Sequence, residues 1–147
     1  MQFNPRNPGN LPVKPNGERD WSSSLCACSD VGVCTCPCIV YGQLQTRLSY
    51  LNRMNAPHPS GGDGCGSDCM VHGALTVCCG IGWALQIGQR TAVRNRYSIE
   101  GNGCGDCMCA WCCTPCSLTQ EVHEVDQEER ALARAGAPQM YVQDGKM

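Results

Sequence analysis

Residues 104–116 read CGDCMCAWCCTPC and place six cysteines within thirteen positions. In a helix that begins near Asp106, the four cysteines from position 109 onward share one side, because they follow the spacing i, i+3, i+4 and i+7. Pro115 lacks a backbone N–H and argues against one intact helix, but it fits the first turn of a second helix that starts at Thr114. In either arrangement, several sulfur atoms converge within one or two turns.

Two further groups of cysteines lie upstream. The first spans residues 26–38 in dense C-x-C spacing, and the second comprises Cys65 and Cys69, with the pair at 78–79 just beyond. Such spacing lets one turn direct several thiolates at one ion, so we predict a thiolate metal site. The candidate ligands are Cys26, Cys28, Cys34, Cys36, Cys38, Cys104, Cys107, Cys109, Cys112, Cys113 and Cys116. Zn²⁺ is the expected ion, and Cd²⁺ or Cu⁺ could substitute for it.

The chain has 147 residues, a net charge of −2 and fifteen cysteines. This charge balance gives no overall basic field, so nucleic acid is not an expected partner. The N-terminus shows no apolar signal segment, and we therefore expect a protein that is not secreted and whose thiols meet a reducing cytosol. Fifteen is odd, which excludes complete internal pairing. Disulfides and reduced or acylated thiols are the alternatives to metal thiolates.

Aromatic side chains make up only 5% of the chain, which argues against an ordinary aromatic-rich core. Apolar residues at helical spacing predict a helix over 39–54, and high propensity predicts another from Ser117 onward. We therefore predict a mainly α fold, a small cysteine-rich helical domain over residues 21–135 that metal thiolates staple together. A disordered Pro/Asn-rich tail (1–20) is expected before it, and a flexible tail (136–147) after it.

Residues 70–88 form the most hydrophobic stretch and carry no charge over 19 positions. As one helix they would be roughly 28 Å long, close to the thickness of a bilayer core. Gly80, Ala84 and Gly88 would then form a small-residue face that could pair two copies of the chain. A membrane span, a re-entrant segment and a buried core helix are all open. We favour the last two, because they let the first and third cysteine groups share an ion.

The titratable residues outside the cysteine groups predict little chemistry. The acidic row Glu121, Glu124 and Glu128 on the last helix is interpreted as a solvated face. No nucleophile stands at a catalytic spacing from a base, and the C-x2-C at Cys104 lacks the strand–helix context of a thioredoxin fold. We therefore do not expect an enzyme.

Two motifs are similar to those of the placenta-specific 8 family, which includes plant cell-number regulators and cadmium-resistance proteins. The C-P-C at residues 36–38 resembles one family motif, and residues 94–121, which end in the run CCTPCSLTQE, resemble the family's second half. The resemblance covers about residues 21–129, and the leader looks most like that of fungal members. The apolar stretch that usually precedes C-P-C is shortened here, so the resemblance does not imply two membrane spans.

The resemblance implies a small cysteine-rich protein, membrane-associated in many members and linked to zinc and cadmium handling and to control of cell number. It implies no catalytic activity. The cysteines that match the family's motifs carry over as candidate ligands: Cys36, Cys38, Cys104, Cys107, Cys112, Cys113 and Cys116. We expect a metal-binding regulatory or metal-homeostasis protein at the cytosolic face of a membrane. The alternatives are an oligomeric Cd/Zn exporter or channel and a disulfide-stapled interaction protein.

Overall fold

A computed structural model describes residues 4–23, 37–62 and 64–136. Five helices occupy these ranges: α1 (Pro37–Met54), α2 (Ser67–Cys79), α3 (Gly82–Tyr97), α4 (Gly103–Cys112) and α5 (Thr114–Arg134). Within the same ranges, β pairing is limited to two isolated bridges that involve Arg19. The prediction of a mainly α fold is confirmed, whereas the domain boundaries stay a prediction.

The two helices predicted from sequence periodicity and propensity form close to their expected bounds. The first begins two residues early, at Pro37, and the last begins at Thr114 with Pro115 in its first turn. That position suits proline because the first N–H groups of a helix have no intrahelical acceptor. Of the two arrangements that the sequence leaves open, the structure therefore has the second helix that starts at Thr114.

Residues 70–88 do not form one helix. Gly80 ends α2 in the left-handed conformation with φ 67°, which glycine adopts without steric penalty, and α3 starts two residues later. Gly80 therefore does not share a helix with Ala84 and Gly88, and the predicted small-residue face for pairing two copies is broken. Among the residues that the structure describes, no helix is both long and apolar enough to cross a bilayer.

The two halves of this stretch instead fold back on each other as a tight helical hairpin. A Cβ atom added at Gly82 would collide with Thr76 Oγ1, so the hairpin requires glycine at this position. The α2 helix also packs against the first turns of α1, where His72 stacks on Tyr41 and Gly73 approaches Cys38. The hydrophobic segment is thus packed against the bundle along one side.

The helices α1, α3 and α5 run in the same direction. Gln89 of α3 donates a hydrogen bond to the carbonyl of Tyr41 at 3.2 Å, and seven residues later Arg96 donates to Asn52 Oδ1 at 2.7 Å. Arg96 also donates to Glu128 on α5 at 2.7 Å. Six residues before Arg96, Arg90 donates to Gln120 of α5 at 2.9 Å. Because residue numbers rise together across these contacts, the amino-terminal ends of the three helices lie at one end of the molecule.

The interior has an apolar part, built mainly from leucine on α1 and from residues of α3 and α5. Its buried members are Tyr41, Leu44, Leu48, Leu51, Val93, Tyr97, Ile99, Leu118, Val125 and Leu132. No cysteine of the described residues is fully buried. The sulfur atoms of the described cysteines therefore lie outside this core, and aliphatic side chains fill the part of it that the structure describes.

The interior also has a charged part, which corrects the interpretation of the acidic row on α5. Glu121, Glu124 and Glu128 are at most 2% exposed, so the prediction of a solvated face is wrong. Each carboxylate faces a buried arginine from another part of the chain: Arg90 for Glu121, Arg19 for Glu124 and Arg96 for Glu128. A carboxylate is tolerated in an interior when a cation and hydrogen bonds compensate it, and Glu124 and Glu128 have both from their arginines. Glu121 lies 3.6 Å from Arg90 and accepts a hydrogen bond from Ser117 instead.

The amino-terminal segment reaches this charged interior. Residues 4–20 contain neither helix nor strand, but Arg19 is only 3% exposed. Its N–H donates to the carbonyl of Ser98, and its guanidinium donates to Glu124 at 2.8 Å. Ser22 adds two hydrogen bonds to the same carboxylate. The segment is thereby fastened across α5 by one buried ion pair.

Candidate metal centre

The α4 helix carries the densest group of described cysteines, and its buried side fixes its orientation. Asp106 and Ala110 face the interior with 3% and 0% exposure. The Asp106 carboxylate accepts hydrogen bonds from both Arg90 and Arg94 of α3. At the start of α4 the side chain of Asn102 accepts from the N–H of Gly105 at 2.7 Å, which caps the helix.

The opposite side of α4 presents sulfur to the solvent. Cys104 and Cys112 are exposed free thiols, and Cys107 is a free thiol that is partly exposed. Between them lie Met108 and Trp111, which are 53% and 63% exposed. Residues 104, 107, 108 and 111 follow the spacing i, i+3, i+4 and i+7, so three sulfur atoms and one indole share one helical face. We call these residues, together with Cys112, the α4 thiol face.

The junction between α4 and α5 gathers further cysteines. Cys113 lies between the two helices; its N–H donates to the carbonyl of Cys109, and its own carbonyl accepts from the N–H of Ser117. Cys113 and Cys116 form a disulfide. In that state neither sulfur is a thiolate, so the metal-ligand prediction for this pair applies to the reduced chain alone.

The first cysteine group is described only in part. Cys26, Cys28, Cys34 and Cys36 lie outside the described residues. Cys38 stands in the first turn of α1, half-buried, where an added Cβ atom at Gly73 would lie 3.8 Å from its own Cβ. Its packing partner is therefore α2.

The sequence predicts that the first and third cysteine groups lie close enough to share an ion. The parallel direction of α1 and α5 is relevant to that prediction. Cys38 and Cys116 each follow a proline in the first turn of their helix. Since the two helices are parallel, these cysteines lie at the same end of the bundle. Within the described ranges, no group of three or more His, Cys, Asp or Glu side chains is close enough to hold an ion. The shared metal site stays a prediction.

Two exposed thiols were not among the predicted ligands. Cys78 and Cys79 end α2, and both are free and exposed. The sequence placed them inside a hydrophobic stretch, and only the helix break at Gly80 shows that they reach the surface. They lie close to Val77 and Ile81, which are 86% and 44% exposed.

His72 is a polar side chain within the hydrophobic stretch of residues 70–88. It is 2% exposed, its Nε2 lies 3.1 Å from the Gln86 side-chain nitrogen, and its ring stacks on Tyr41 at 4.6 Å. Burial lowers the pKa of His72 below its usual value and so favours the neutral ring. A ring held between Tyr41 of α1 and Gln86 of α3 fits a structural role.

The described geometry is that of a small helical protein that displays thiols on fixed helices around a charged interior. The chain belongs to the PLAC8 family, whose model matches residues 21–124. The resemblance to the placenta-specific 8 family is thus confirmed.

Relatives from plants and animals share about 30% identity with the chain. It is 32% identical to Protein PLANT CADMIUM RESISTANCE 2 of Arabidopsis thaliana over 120 residues, which cover 78% of this chain and 72% of that protein. It is 32% identical to Cell number regulator 9 of Zea mays, covering 80% of this chain and 64% of the relative. It is 28% identical to Placenta-specific gene 8 protein of Pongo abelii, covering 82% and 80%. No solved structure matches the chain.

Proposed function

We propose that this chain is a non-enzymatic, thiol-rich metal-binding protein of metal homeostasis, with Zn²⁺ as the expected ion and Cd²⁺ or Cu⁺ as substitutes. The observation that carries the proposal is the α4 thiol face, on which free cysteines and a methionine are displayed by a rigidly anchored helix. Thiolate and thioether sulfur are ligands that soft cations prefer. The names of the cadmium-resistance relatives support a role connected with metals.

The exposure of these thiols favours reversible binding over a closed structural site. A structural zinc site is usually enclosed by four protein ligands. Cys104 and Cys112 instead face solvent, and the helix that carries them is held by Asp106 and its arginine partners. An ion bound at this face can exchange with other thiols without unfolding the bundle, which suits buffering or transfer.

Replacing Cys104 and Cys107 by serine is expected to lower the metal capacity of the full-length protein by about one equivalent. A tetrahedral site takes four ligands, and it loses its ion when two of them are removed. Serine retains the size of the side chain but is a poor ligand for soft cations. The reduced protein is titrated anaerobically with Cd²⁺, and the thiolate-to-cadmium charge-transfer absorption is followed.

Thr91→Ser is the matched control. Thr91 of α3 donates a hydrogen bond to Asp106 of α4, serine keeps the hydroxyl that makes this bond, and no sulfur is removed. It is expected to bind Cd²⁺ as the unchanged chain does. Equal capacity in the double cysteine variant and the unchanged chain would contradict the assignment of the α4 thiol face.

The proposal also includes attachment to a lipid surface through α2. Its outward residues Met70, Val71 and Val77, and Ile81 just after the helix, are between 44% and 86% exposed. Asp68, in the first turn, is the single charged residue of the helix. An uncharged apolar face on a helix of this length suits the interface of a bilayer, where the helix lies in the membrane plane.

Val77→Asp is expected to reduce binding of the full-length protein to phosphatidylcholine/phosphatidylserine vesicles severalfold, because a charge at the centre of the apolar face opposes its burial in lipid. The measurement is co-sedimentation over a range of lipid concentrations. Val13→Asp is the control, since Val13 is 58% exposed but lies on the amino-terminal segment. Equal losses in both variants, or none in either, would reject attachment through α2.

A further inference from the structure

Two C-x2-C motifs in this chain stand at the start of a helix, and the structure shows them in different oxidation states. Cys104 and Cys107 belong to the first turns of α4 and are free thiols. Cys113 and Cys116 flank the start of α5 and are joined as a disulfide. Because the spacing is the same in both motifs, the difference must come from their surroundings.

The start of α4 is already capped by a side chain other than cysteine. The side chain of Asn102 accepts the hydrogen bond of Gly105 N–H, and Asp106 places a carboxylate in the first turn. Asn102 therefore caps this helix end, and the Asp106 carboxylate is bonded to Arg90 and Arg94 of α3. Capping at this end therefore does not involve the sulfur of Cys104 or Cys107.

The start of α5 has neither group. Cys113 itself occupies the capping position, no side chain of the described residues caps the helix there, and no acidic residue lies in the first turn. The helix is 21 residues long. The positive end of its dipole therefore lies at the disulfide of Cys113 and Cys116.

The pair is also reachable from solvent. Cys113 and Cys116 are both partly exposed, and the neighbouring Cys112 is exposed. A buried structural bridge would be shielded from small thiols, whereas this one lies beside the α4 thiol face. Exchange with a small partner thus requires no opening of the helices.

We propose that Cys113 and Cys116 form a reversible dithiol–disulfide site that exchanges with glutathione-class thiols and disulfides, and that its oxidation withdraws two ligands from the metal-binding thiols of the α4–α5 junction. The second clause rests on the metal-binding function proposed above. The exchange itself rests only on the geometry at the start of α5 and on the disulfide.

The exchange balances as two successive substitutions at sulfur. A thiolate of the reduced pair attacks one sulfur of the small disulfide, forms a mixed disulfide and releases one small thiolate. The second cysteine of the pair loses its proton to solvent and attacks the protein sulfur of the mixed disulfide. The Cys113–Cys116 bond forms, the second small thiolate leaves, and two electrons pass from the protein pair to the small disulfide.

The test equilibrates the full-length protein at a series of ratios of reduced to oxidised glutathione. Thiols are then trapped by alkylation, and each cysteine-containing peptide is quantified by mass spectrometry. The Cys113 and Cys116 sites are expected to change together from alkylated to protected over about two decades of the ratio. Cys104 and Cys107 are expected to stay alkylated across that range, which makes them the internal control.

Parallel samples are titrated with Cd²⁺ to separate the two clauses. The oxidised protein is expected to bind less Cd²⁺ than the reduced protein, and a Cys113→Ser/Cys116→Ser variant is expected to show the low capacity at every ratio. If the protein binds no Cd²⁺ in either state, the proposed metal function fails while the alkylation result still supports the exchange site. Oxidation of both C-x2-C motifs at the same ratio, or a Cys113–Cys116 pair that never responds, would overturn the exchange proposal itself.

Discussion

Asp106→Asn is expected to destabilise the protein by about 3–5 kcal/mol, because it removes one partner of a buried ion-pair cluster. The carboxylate is 3% exposed and lies between the guanidinium groups of Arg90 and Arg94. Asparagine keeps the shape but not the charge, so two buried cations lose their shared counter-ion. Removing one member of such a cluster is far more harmful than replacing all members by apolar groups.

The measurement is urea-induced unfolding of the unchanged chain and the variant, followed by helical circular dichroism. Asp20→Asn is the matched control, since the Asp20 side chain is 78% exposed and pairs with Lys14 at the surface. Exposed pairs contribute at most about 1 kcal/mol. A loss for Asp106→Asn as small as that of the control would show that Asp106 does not hold α4 in place.

The same substitution connects the charged interior with the metal centre. Arg90 and Arg94 lie on α3, and Asp106 is the contact by which they fix the orientation of α4. If that contact weakens, Cys104 and Cys107 lose their fixed position even where the bundle remains folded. Asp106→Asn is therefore a variant in which stability and metal capacity should fall together.

The charged interior marks a limit of inference from sequence. Glu121, Glu124 and Glu128 recur at i, i+3 and i+7, which is the spacing of a core-facing stripe as well as of a solvated face. Acidic residues are rarely buried without a partner, so the sequence alone favours a solvent-exposed position for this row. The partners lie on distant segments, and no local pattern could reveal that Arg19 and Arg90 would face this row.

The elements that sequence did predict are those that local rules decide. Apolar spacing gave α1, and Pro115 separated α4 from α5 because proline fits a first turn and not a helix interior. The break at Gly80 was harder to foresee, since the left-handed conformation there follows from the packing of the hairpin around Gly82. The disulfide likewise depends on the relative placement of two helices, which cysteine spacing alone leaves open.

A second large effect concerns the pH dependence of stability. Burial raises the pKa of Glu121 to about 8, from an ordinary value of 4.5, although Arg90 and the hydroxyl of Ser117 act in the opposite direction and Asp106 adds to the increase. The carboxyl is fully buried, and its Oε2 has no hydrogen-bond partner among the described residues. Between about pH 4.5 and pH 8, Glu121 of the folded chain therefore holds a proton that the unfolded chain has released.

The sign of the effect follows from this difference in proton binding. Where the folded state binds more protons, the free energy of unfolding falls as pH rises, by at most about 1.4 kcal/mol per pH unit for one group. The contribution is complete below about pH 4.5 and is lost as pH rises through about 8. Glu121→Gln cannot ionise, so it should remove this decline and exceed the unchanged chain in stability at pH 8 while remaining close to it at pH 5.

Urea unfolding at intervals from pH 5 to pH 8 measures the slope for both proteins. Glu129→Gln is the matched control, because it removes a carboxylate from the same helix beside Arg47 but retains Glu121 and therefore the decline that Glu121 causes. A stability that rises over this interval in the unchanged chain would mean that Glu121 is ionised in the folded state and that Arg90 outweighs burial. In that case the interior would hold a full set of opposite charges, and Glu121→Gln would destabilise the protein in the same way as Asp106→Asn.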